Sequence, residues 1–511
     1  MAAPLRYPLI LLAWGIMALI YLPVFPAIAL MLAPAFRLAC WQALFADPQI
    51  WQALAATLIS TLLSVGGALL ISLTLVAALW PSRGWRQLAG RLPLLLAVPH
   101  VAFATGALLL FAEGGWLYRV CSVCSPPADR YGIGLGLTMA IKESGFLLWA
   151  IYGLLSEKRL AEQATVLKSQ GYGRWQCLNW LILPTLLPSL AIVLVATTAW
   201  SLSTVDVALV IGPGNPPTLA VLAWQWLNQG DDMQQAKGAL ASLLLLLILG
   251  GVLVCAWGGW RLWQRQIPDL RGIRRPQPRA LAGRLLAIGL PLSGLLCALL
   301  LAALAQSASP LNDSLANSLG LALLASLAGA LVCLLWLECG PSRGDSWVWL
   351  PLVLPALPLA DGQYQLALYT WQDGQFATVL WGHLLWVVPW MLFVLRPAWR
   401  HRDPRLELVA RTLGWGRWQR VWRVKLPMLV RPLLMALAVG FSVSIAQYLP
   451  TLWLGGGRAP TLTSEAVALS SGGDTQTLAA QALWQLLLPA MVFSLTALLA
   501  WLAGRYRRGL R

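Results

Sequence analysis

The chain has 511 residues, of which 59% are hydrophobic and only 11% are charged, with a formal net charge of +17. Because soluble domains carry about 25% charged residues, this composition argues against a water-soluble protein and for a membrane protein. About twelve apolar runs approach the ~20 residues that a membrane-spanning helix needs. They lie near 8–33, 52–80, 92–112, 133–155, 182–211, 238–260, 283–305, 315–337, 347–361, 376–396, 427–453 and 482–503.

These runs predict helices, because backbone groups in lipid must find hydrogen-bond partners inside their own segment. A transmembrane barrel would instead show short segments of alternating polarity, which this sequence lacks. We therefore expect an all-α polytopic membrane protein with about 12 transmembrane helices. The run at 347–361 is short and rich in proline, so it is the weakest of the twelve.

The basic residues indicate the orientation of the chain. If the N-terminus is cytoplasmic and all twelve spans exist, 30 of the 36 Lys and Arg residues fall on the cytoplasmic side. This asymmetry follows the positive-inside rule and predicts that both termini are cytoplasmic. It also accounts for the net charge without nucleic acid, which we do not expect as a partner.

The first apolar run is predicted to be a span and not a signal peptide. The run at 8–33 is longer than the core of a signal peptide and has no clear cleavage site, so we read it as a retained span.

Most of the eight cysteines fall inside predicted spans. Cys121 and Cys124 lie on the predicted outer face, where they form either a short disulfide or two unpaired thiols. No cluster of Cys and His predicts a metal site.

The chain repeats itself. Residues 171–176 read Gly-Tyr-Gly-Arg-Trp-Gln, and residues 414–419 read Gly-Trp-Gly-Arg-Trp-Gln. The same offset of 243 residues aligns a Leu-Pro pair, a Pro-Thr-Leu triplet and a Gly-Asp pair in the two copies. Each half therefore has about six spans and the same order of loops. Because equivalent loops have the same sidedness, the halves are parallel and pseudo-symmetric, with a pathway expected between them.

The repeat sets the domain organisation. We expect a first half over 1–262, a cytoplasmic linker over 263–282 and a second half over 283–511. A long cytoplasmic loop lies at equivalent places in the halves, over 157–184 and 397–427. In each loop a glycine precedes a proline by 13 residues. The glycine permits a tight turn and the proline suits the first turn of the next span, so each loop predicts a helix, a turn and a second short helix.

The two loops resemble the EAA loop of binding-protein-dependent ABC-importer permeases, on which a separate ATPase docks. The pattern is Glu-Ala-Ala, three residues, Gly, and a Leu-Pro pair after a fixed gap. The residues that carry the match are Gly171, Leu183-Pro184, Ala410, Gly414 and Leu426-Pro427. Most members use two separate permease subunits, whereas this chain is similar to the fused, double-length ferric-iron and thiamine import permeases.

The sequence departs from the family pattern at the glutamate. Thr165 and Leu408 occupy that position in the two loops, while Glu162 and Glu407 lie nearby but out of register. The resemblance implies ATPase-coupling residues in both loops, which are Gly171, Arg174, Trp175, Pro184, Ala410, Gly414, Arg417, Trp418 and Pro427. The effect of the missing glutamate on docking stays open.

The resemblance also implies partners. The sequence has no Gly-x4-Gly-Lys-Ser/Thr motif, so we expect no cofactor on this chain and ATP use by a separate cytoplasmic ABC ATPase, in two copies. A periplasmic substrate-binding protein would dock on the outer loops 212–237 and 454–481. Membrane lipid and a small solute complete the expected partners. We find no catalytic motif and expect no enzyme; the solute itself is not identified.

Polar residues inside spans are costly and often face an aqueous pathway. The candidates are Lys142, Glu143, Ser201, Ser203, Asp206, His383, Ser444 and Gln447. Hydrogen bonding between helices is the competing interpretation for the hydroxyl residues, and an ion pair that locks the bundle competes for the charged ones. Two other functions remain: a secondary carrier driven by an ion gradient, with the charged residues as its relay, and a membrane scaffold without transport.

Overall fold

The structure is a computed structural model. It describes residues 6–112, 115–121, 129–157, 160–267, 281–306, 308–310, 312–341 and 344–506. Within these ranges the regular structure is helical and no strand occurs, so the predicted all-α class is confirmed. Residues 268–280, most of the predicted linker, lie outside the described residues.

In the described ranges, the first half has fourteen helices. They are α1 (Arg6–Tyr21), α2 (Val24–Leu32), α3 (Leu38–Ala46), α4 (Ile50–Leu79), α5 (Arg83–Leu96), α6 (His100–Phe111), α7 (Trp116–Val120), α8 (Ile133–Glu157), α9 (Leu160–Ser169), α10 (Arg174–Cys177), α11 (Leu183–Ser203), α12 (Asp206–Ile211), α13 (Leu219–Leu227) and α14 (Asp232–Gln264). A 3-10 turn spans Ala33–Phe36, and a π-helical segment, Leu178–Ile182, joins α10 to α11.

The second half repeats the order of the first. Its helices are α15 (Leu281–Ala305), α16 (Asn312–Cys339), α17 (Leu350–Val353), α18 (Ala356–Tyr369), α19 (Phe376–Arg400), α20 (Pro404–Thr412), α21 (Arg417–Arg420), α22 (Leu426–Ile445), α23 (Leu449–Gly455), α24 (Leu462–Ser470) and α25 (Thr475–Tyr506). A 3-10 turn covers Ser346–Trp349, and a π-helical segment, Val421–Lys425, joins α21 to α22. The helices α8 and α19 begin and end 243 residues apart, as do the two π-helical segments.

Ten helical stretches among the described residues are long and apolar enough to cross a membrane. They overlap with ten of the twelve predicted spans, in some cases only in part. The fourth prediction falls on α8, a 25-residue helix that carries Lys142 and Glu143. The ninth falls on α17 and α18, which are separate short helices because the chain is extended at Leu354, before Pro355.

Three further predicted spans are not continuous helices. The run at 92–112 is divided between α5 and α6, with Pro99 extended at the break. The runs at 182–211 and 427–453 are each divided into a long helix and a short one, α11 with α12 and α22 with α23. The break between α11 and α12 contains no proline or glycine, whereas the break between α22 and α23 is followed by Pro450 in the first turn of α23, where proline favours a helix start.

The first span of each half packs on the other half. On α1, Trp14 lies 5.0 Å from Trp336 of α16 between ring centroids, and the Tyr21 hydroxyl donates to the Val348 carbonyl at 2.8 Å. On α15, Gly283 lies so close to Ala78 of α4 that no Cβ would fit. Small residues permit such close approach between helices in lipid. Each half therefore packs its first span against the other half, and the two halves do not form separate bundles.

Candidate functional site

Each long loop forms the same bent unit, which we call an elbow. The first elbow (160–182) and the second elbow (404–425) each consist of a helix, a turn, a one-turn helix and a π-helical segment that runs into a long span. The turn glycines, Gly171 and Gly414, have φ of +96° and +74°. A β-carbon is strained there, so glycine is the residue that fits.

Backbone hydrogen bonds make the two turns equivalent. Tyr172 N–H donates to the Leu167 carbonyl at 3.1 Å, and Trp415 N–H donates to the Ala410 carbonyl at 3.0 Å. Together with the glycine N–H bond to the third residue before it, this is the Schellman end of a helix. The predicted helix, turn and short helix are therefore present in both loops.

The arginine that recurs in both elbows points toward the bundle. Arg174 donates from Nη1 to the Ala78 carbonyl at 2.6 Å, at the end of α4. Arg417 donates from Nε to Glu338 Oε1 at 3.0 Å, at the end of α16. These side chains tie the elbows to the bundle. Pro184 and Pro427 lie in the first turns of α11 and α22, where a missing N–H costs little.

The neighbouring tryptophans are available to a partner. Trp175 is 38% exposed and Trp418 is 56% exposed, whereas Ala410 is buried. The positions that lack the family glutamate, Thr165 and Leu408, are also exposed. Each elbow thus exposes apolar side chains beside charged ones: Val166 and Glu162 in the first, and Leu408, Val409 and Arg411 in the second.

Charge distinguishes the second elbow from the first. Glu338 accepts from Lys425 Nζ at 2.6 Å as well as from Arg417. Glu407 accepts from Arg411 at 3.0 Å and lies 3.5 Å from Lys425 Nζ. The first elbow has an apolar cluster of Leu167, Tyr172 and Cys177 instead. At the repeat position of Lys425 the first elbow has Ile182.

The charges around Glu407 set its protonation. Burial alone would raise the pKa of Glu407, but the Arg411 hydrogen bond and the charges of Lys425, Arg411 and Arg402 together lower it. A carboxyl group with a lowered pKa stabilises the folded state above its unfolded pKa, and this stabilisation is lost as the pH falls through the lowered value. The Glu407 carboxylate is therefore ionised at neutral pH, where it can keep its contacts with Arg411 and Lys425.

A central cavity of about 1710 Å³, including the space at its opening, lies between the halves. Five predicted pathway residues line it: Lys142, Glu143, Ser203, Asp206 and Gln447. The other three belong to hydrogen bonds between helices. Ser201 shares a 2.9 Å bond with Ser64, while His383 lies between Ser444 at 2.7 Å and Thr451 at 2.9 Å.

Helix breaks shape the cavity wall. The segments between α11 and α12 and between α22 and α23 both line it, and they occupy equivalent places in the repeat. Irregular backbone at membrane depth is stable only where protein or an aqueous cavity surrounds it. Broken helices that frame a central site are typical of transport proteins.

The charged groups of the cavity are individually satisfied. His100 Nε2 and Glu143 Oε1 are 2.8 Å apart, and Lys142 Nζ donates to the Leu95 carbonyl at 2.9 Å. Asp206 accepts from the Thr204 hydroxyl at 3.0 Å. Of the two interpretations of the charged residues, the ion pair would have joined Lys142 to a carboxylate, but the described contacts join Glu143 to His100 and Lys142 to a backbone carbonyl. His100 escaped the sequence analysis because it lies 43 residues from Glu143 and only the fold brings them together.

Aromatic rings connect the halves along one side of the cavity. The ring centroids of Phe146 and Trp390 are 5.2 Å apart, and those of Trp149 and Phe393 are 6.1 Å apart. All four line the cavity. The Phe146–Trp390 contact is edge-on, with an interplanar angle of 83°, and a contact of this kind adds about 0.5–1.5 kcal/mol beyond burial. The rings therefore form a specific contact between α8 and α19.

Among the described cysteines, one is in a disulfide bond. Cys121 is disulfide-bonded, while the six other cysteines in the described ranges are free. Cys124, the expected partner, lies outside the described residues. Within the part of the chain that the structure describes, no group of three metal-ligating side chains occurs.

A helical bundle with a central cavity, helix breaks and two matched elbows is the architecture of a membrane permease, and comparison with known proteins specifies its family. Residues 345–508 match the model of the binding-protein-dependent transport system inner membrane component. The chain is 58% identical over 511 residues, the full length of both chains, to the inner membrane ABC transporter permease protein YnjC of Escherichia coli K12. It is 27% identical over 454 residues to the thiamine transport system permease protein ThiP of the same organism, covering 80% of this chain and 81% of ThiP.

The chain therefore belongs to the inner-membrane permeases of binding-protein-dependent ABC transport systems. The resemblance inferred from the loop motifs is confirmed. It is a multi-pass inner-membrane protein, and its relatives are transport permeases, in agreement with the expectation that it is not an enzyme.

The left-handed glycine of the second elbow gives a matched pair of variants. Gly414→Val places a β-branched residue at φ +74°, which costs about 1–2 kcal/mol or more. Gly416→Ala is the control, because Gly416 has φ −64° and room for a methyl group. We expect trypsin to cleave the second elbow faster in Gly414→Val and at the wild-type rate in Gly416→Ala. Equal cleavage of all three proteins would contradict this role of the turn.

The ion pairs of the second elbow predict a stability difference. Glu338→Gln leaves Lys425, whose side chain is 9% exposed, without its shorter carboxylate contact and should cost about 1–3 kcal/mol. Glu162→Gln, on the exposed face of α9, is the control and should be neutral. Thermal unfolding in detergent, followed by tryptophan fluorescence, measures the difference. An unchanged midpoint for Glu338→Gln would show that the pairs do not hold the elbow.

Proposed function

We propose that the two halves form the translocation pathway of an ABC importer, and that two copies of a cytoplasmic ATPase move it through the elbows. The observation that carries the proposal is the direct connection between elbow and cavity. Each elbow continues through a π-helical segment into α11 or α22, and the far end of that span is a helix break in the cavity wall.

The geometry supports mechanical coupling. The 21 residues of α11 correspond to about 30 Å of rigid helix. Because Arg174 and Arg417 fasten the elbows to α4 and α16, a force on either elbow reaches two helices of that half. Closure of the ATPase pair on ATP would thus displace both breaks together and change which end of the cavity is open.

The remaining partners follow from sidedness. With both termini and both elbows in the cytoplasm, as the positive-inside pattern predicts, the segments around α13 and α24 face the periplasm. A substrate-binding protein would dock there, on 212–237 and 454–481, and deliver a small solute to the cavity. The chain itself would bind no nucleotide, and ATP would be used by the partner subunit.

One observation favours the alternative, a carrier driven by an ion gradient. His100, Glu143 and Asp206 all line the cavity and could exchange protons. Uptake into liposomes separates the two functions. We expect uptake to require ATPase, ATP and binding protein, and to persist without a proton or sodium gradient; gradient-driven uptake by the chain alone would establish the alternative.

The exposed tryptophans test the docking surface. The pair Trp175→Glu and Trp418→Glu adds a charge to each elbow without touching the bundle core, and we expect at least a tenfold loss of co-purifying ATPase. Tyr369→Glu is the control, since Tyr369 is 84% exposed at the end of α18 on the predicted outer side. Undiminished recovery of the ATPase with the elbow variant would overturn the proposed contact.

A further inference from the structure

A second cavity lies beside the second elbow. Its volume is about 480 Å³, including the space at its opening, and it is enclosed by the end of α19, the start of α20 and the junction of the π-helical segment with α22. Three of its lining side chains are basic, Arg400, Arg402 and Lys425, and two are acidic, Asp403 and Glu407. Because ligand sites have volumes of about 300–1,000 Å³, this cavity is large enough to hold a small ligand or a lipid headgroup.

Most of the charged groups around this cavity already have partners. Glu407 Oε1 is 3.0 Å from Arg411 Nη2 and 3.5 Å from Lys425 Nζ, and Lys425 Nζ is 2.6 Å from Glu338 Oε2. The Asp403 carboxylate accepts a backbone N–H of the first turn of α20 at 2.9 Å and so caps that helix. Both lining carboxylates are therefore committed to other groups of the elbow.

Two arginines of the cavity take no part in these pairs. Within the described ranges, neither Arg400 nor Arg402 forms an ion pair. The Arg402 guanidinium lies 3.6 Å from the ring centroid of Trp399, and its Nε donates to the Trp399 carbonyl at 2.8 Å. These contacts hold the guanidinium in place and leave its two terminal amino groups as a fork of donors.

The surroundings of Arg402 supply less negative charge than the guanidinium needs. Burial lowers the pKa of Arg402, although the charges of Glu407 and Glu338 act to raise it. A lowered pKa in a basic group means that its charged form is disfavoured relative to water. An anion that enters the cavity would offset this cost, and the planar fork suits the oxygens of a phosphate group.

The fold of the elbow does not require this basic set, because the first elbow lacks most of it. The residues at an offset of 243 are Ile182 for Lys425, Glu157 for Arg400 and Arg159 for Arg402. Arg159 lies outside the described residues. Two of the three basic side chains are thus absent from a loop that makes the same turn, so they are a particular property of the second elbow.

The cavity lies at the depth where spans end. Arg400 is the last residue of α19, and Lys425 directly precedes α22. With the elbows in the cytoplasm, as the positive-inside pattern predicts, this is the level of the lipid headgroups of the inner leaflet. Basic pockets between the cytoplasmic ends of spans are suited to anionic headgroups, and soluble phosphates can reach the same level from the cytoplasm.

We propose that this cavity is a binding site for a phosphate-bearing anion, held by the guanidinium groups of Arg400 and Arg402 beside Lys425. The phosphate belongs either to an anionic phospholipid or to a soluble cytoplasmic ion, and the chemistry of recognition is the same. A bound phosphate bridges the end of α19 to the start of α20 and so fastens the second elbow to the bundle. The inference does not depend on the transported solute.

Two binding measurements on the full chain, delipidated in a neutral detergent, test the site and distinguish the sources. Native mass spectrometry counts the lipids retained from an equal mixture of dioleoylphosphatidylglycerol and dioleoylphosphatidylcholine. Equilibrium dialysis measures the binding of radiolabelled inorganic phosphate. A lipid source predicts at least fivefold more phosphatidylglycerol than phosphatidylcholine on the chain, and a soluble source predicts saturable binding of one phosphate ion.

Variants assign the binding to the cavity. Arg400→Gln combined with Arg402→Gln should lower the bound anion at least fivefold, and Arg402→Lys, which keeps the charge but loses the fork, at least twofold. Arg261→Gln is the matched control. The Arg261 guanidinium lies 4.0 Å from the ring centroid of Trp257 at the end of α14, so it is also an arginine stacked on tryptophan at the end of a span, but it does not line the cavity.

The wild-type chain alone can overturn the proposal. Equal retention of the two lipids together with no saturable binding of phosphate would do so, even if a variant fails to fold. An equal loss of binding in Arg261→Gln and in the double variant would also overturn it, because any arginine at the end of a span would then suffice. Neither measurement involves the ATPase or uptake, so a negative result leaves the proposed permease function to its own tests.

Discussion

The absence of hydrogen-bond partners in hydrocarbon is the constraint on which this structure depends. Unpaired backbone groups are costly in lipid, so the breaks after Ser203 and Ile445 must be enclosed by protein or open to water. Both breaks lie on the cavity that the two halves enclose. The cavity and the breaks thus stabilise one another, and a change in the packing of the halves would alter both.

A second consequence concerns movement. Each break lies at the far end of a span that begins in an elbow, and each elbow turns at a glycine that has positive φ. The helix between them is rigid over about 30 Å. The first spans, α1 and α15, each pack on the other half, so under the proposed mechanism displacement of one elbow would be transmitted to both walls of the cavity. Packing of Trp14 and Tyr21 against the second half shows how closely the halves are joined.

Much of this architecture could be predicted from the sequence. Hydropathy located the spans because burial in lipid demands long apolar runs, and the turns at Gly171 and Gly414 followed from the repeated Gly and Leu-Pro spacing. The break at Thr204 could not be predicted, since no proline or glycine lies there. The break at Ala446 does have a sequence signal, because Pro450 in the first turn of α23 cannot donate to the Ala446 carbonyl and so opposes a continuous helix. The packing of α1 and α15 against the opposite halves could not be predicted either, because an apolar run does not specify which helix it will contact. The His100–Glu143 pair depends on tertiary packing, and Arg174 and Arg417 contact the bundle although their loop position suggested a partner.

The most direct test of coupling is a distance between the elbows. Thr165 and Leu408 are equivalent exposed positions, so spin labels at Thr165→Cys and Leu408→Cys, with the exposed Cys255 replaced by serine, report on the two elbows. A second pair at the helix breaks, Ser203→Cys and Ala446→Cys, reports on the cavity. In the complex with the ATPase, the account predicts that ATP changes both distances together. A change at the elbows with an unaltered distance across the cavity would contradict it.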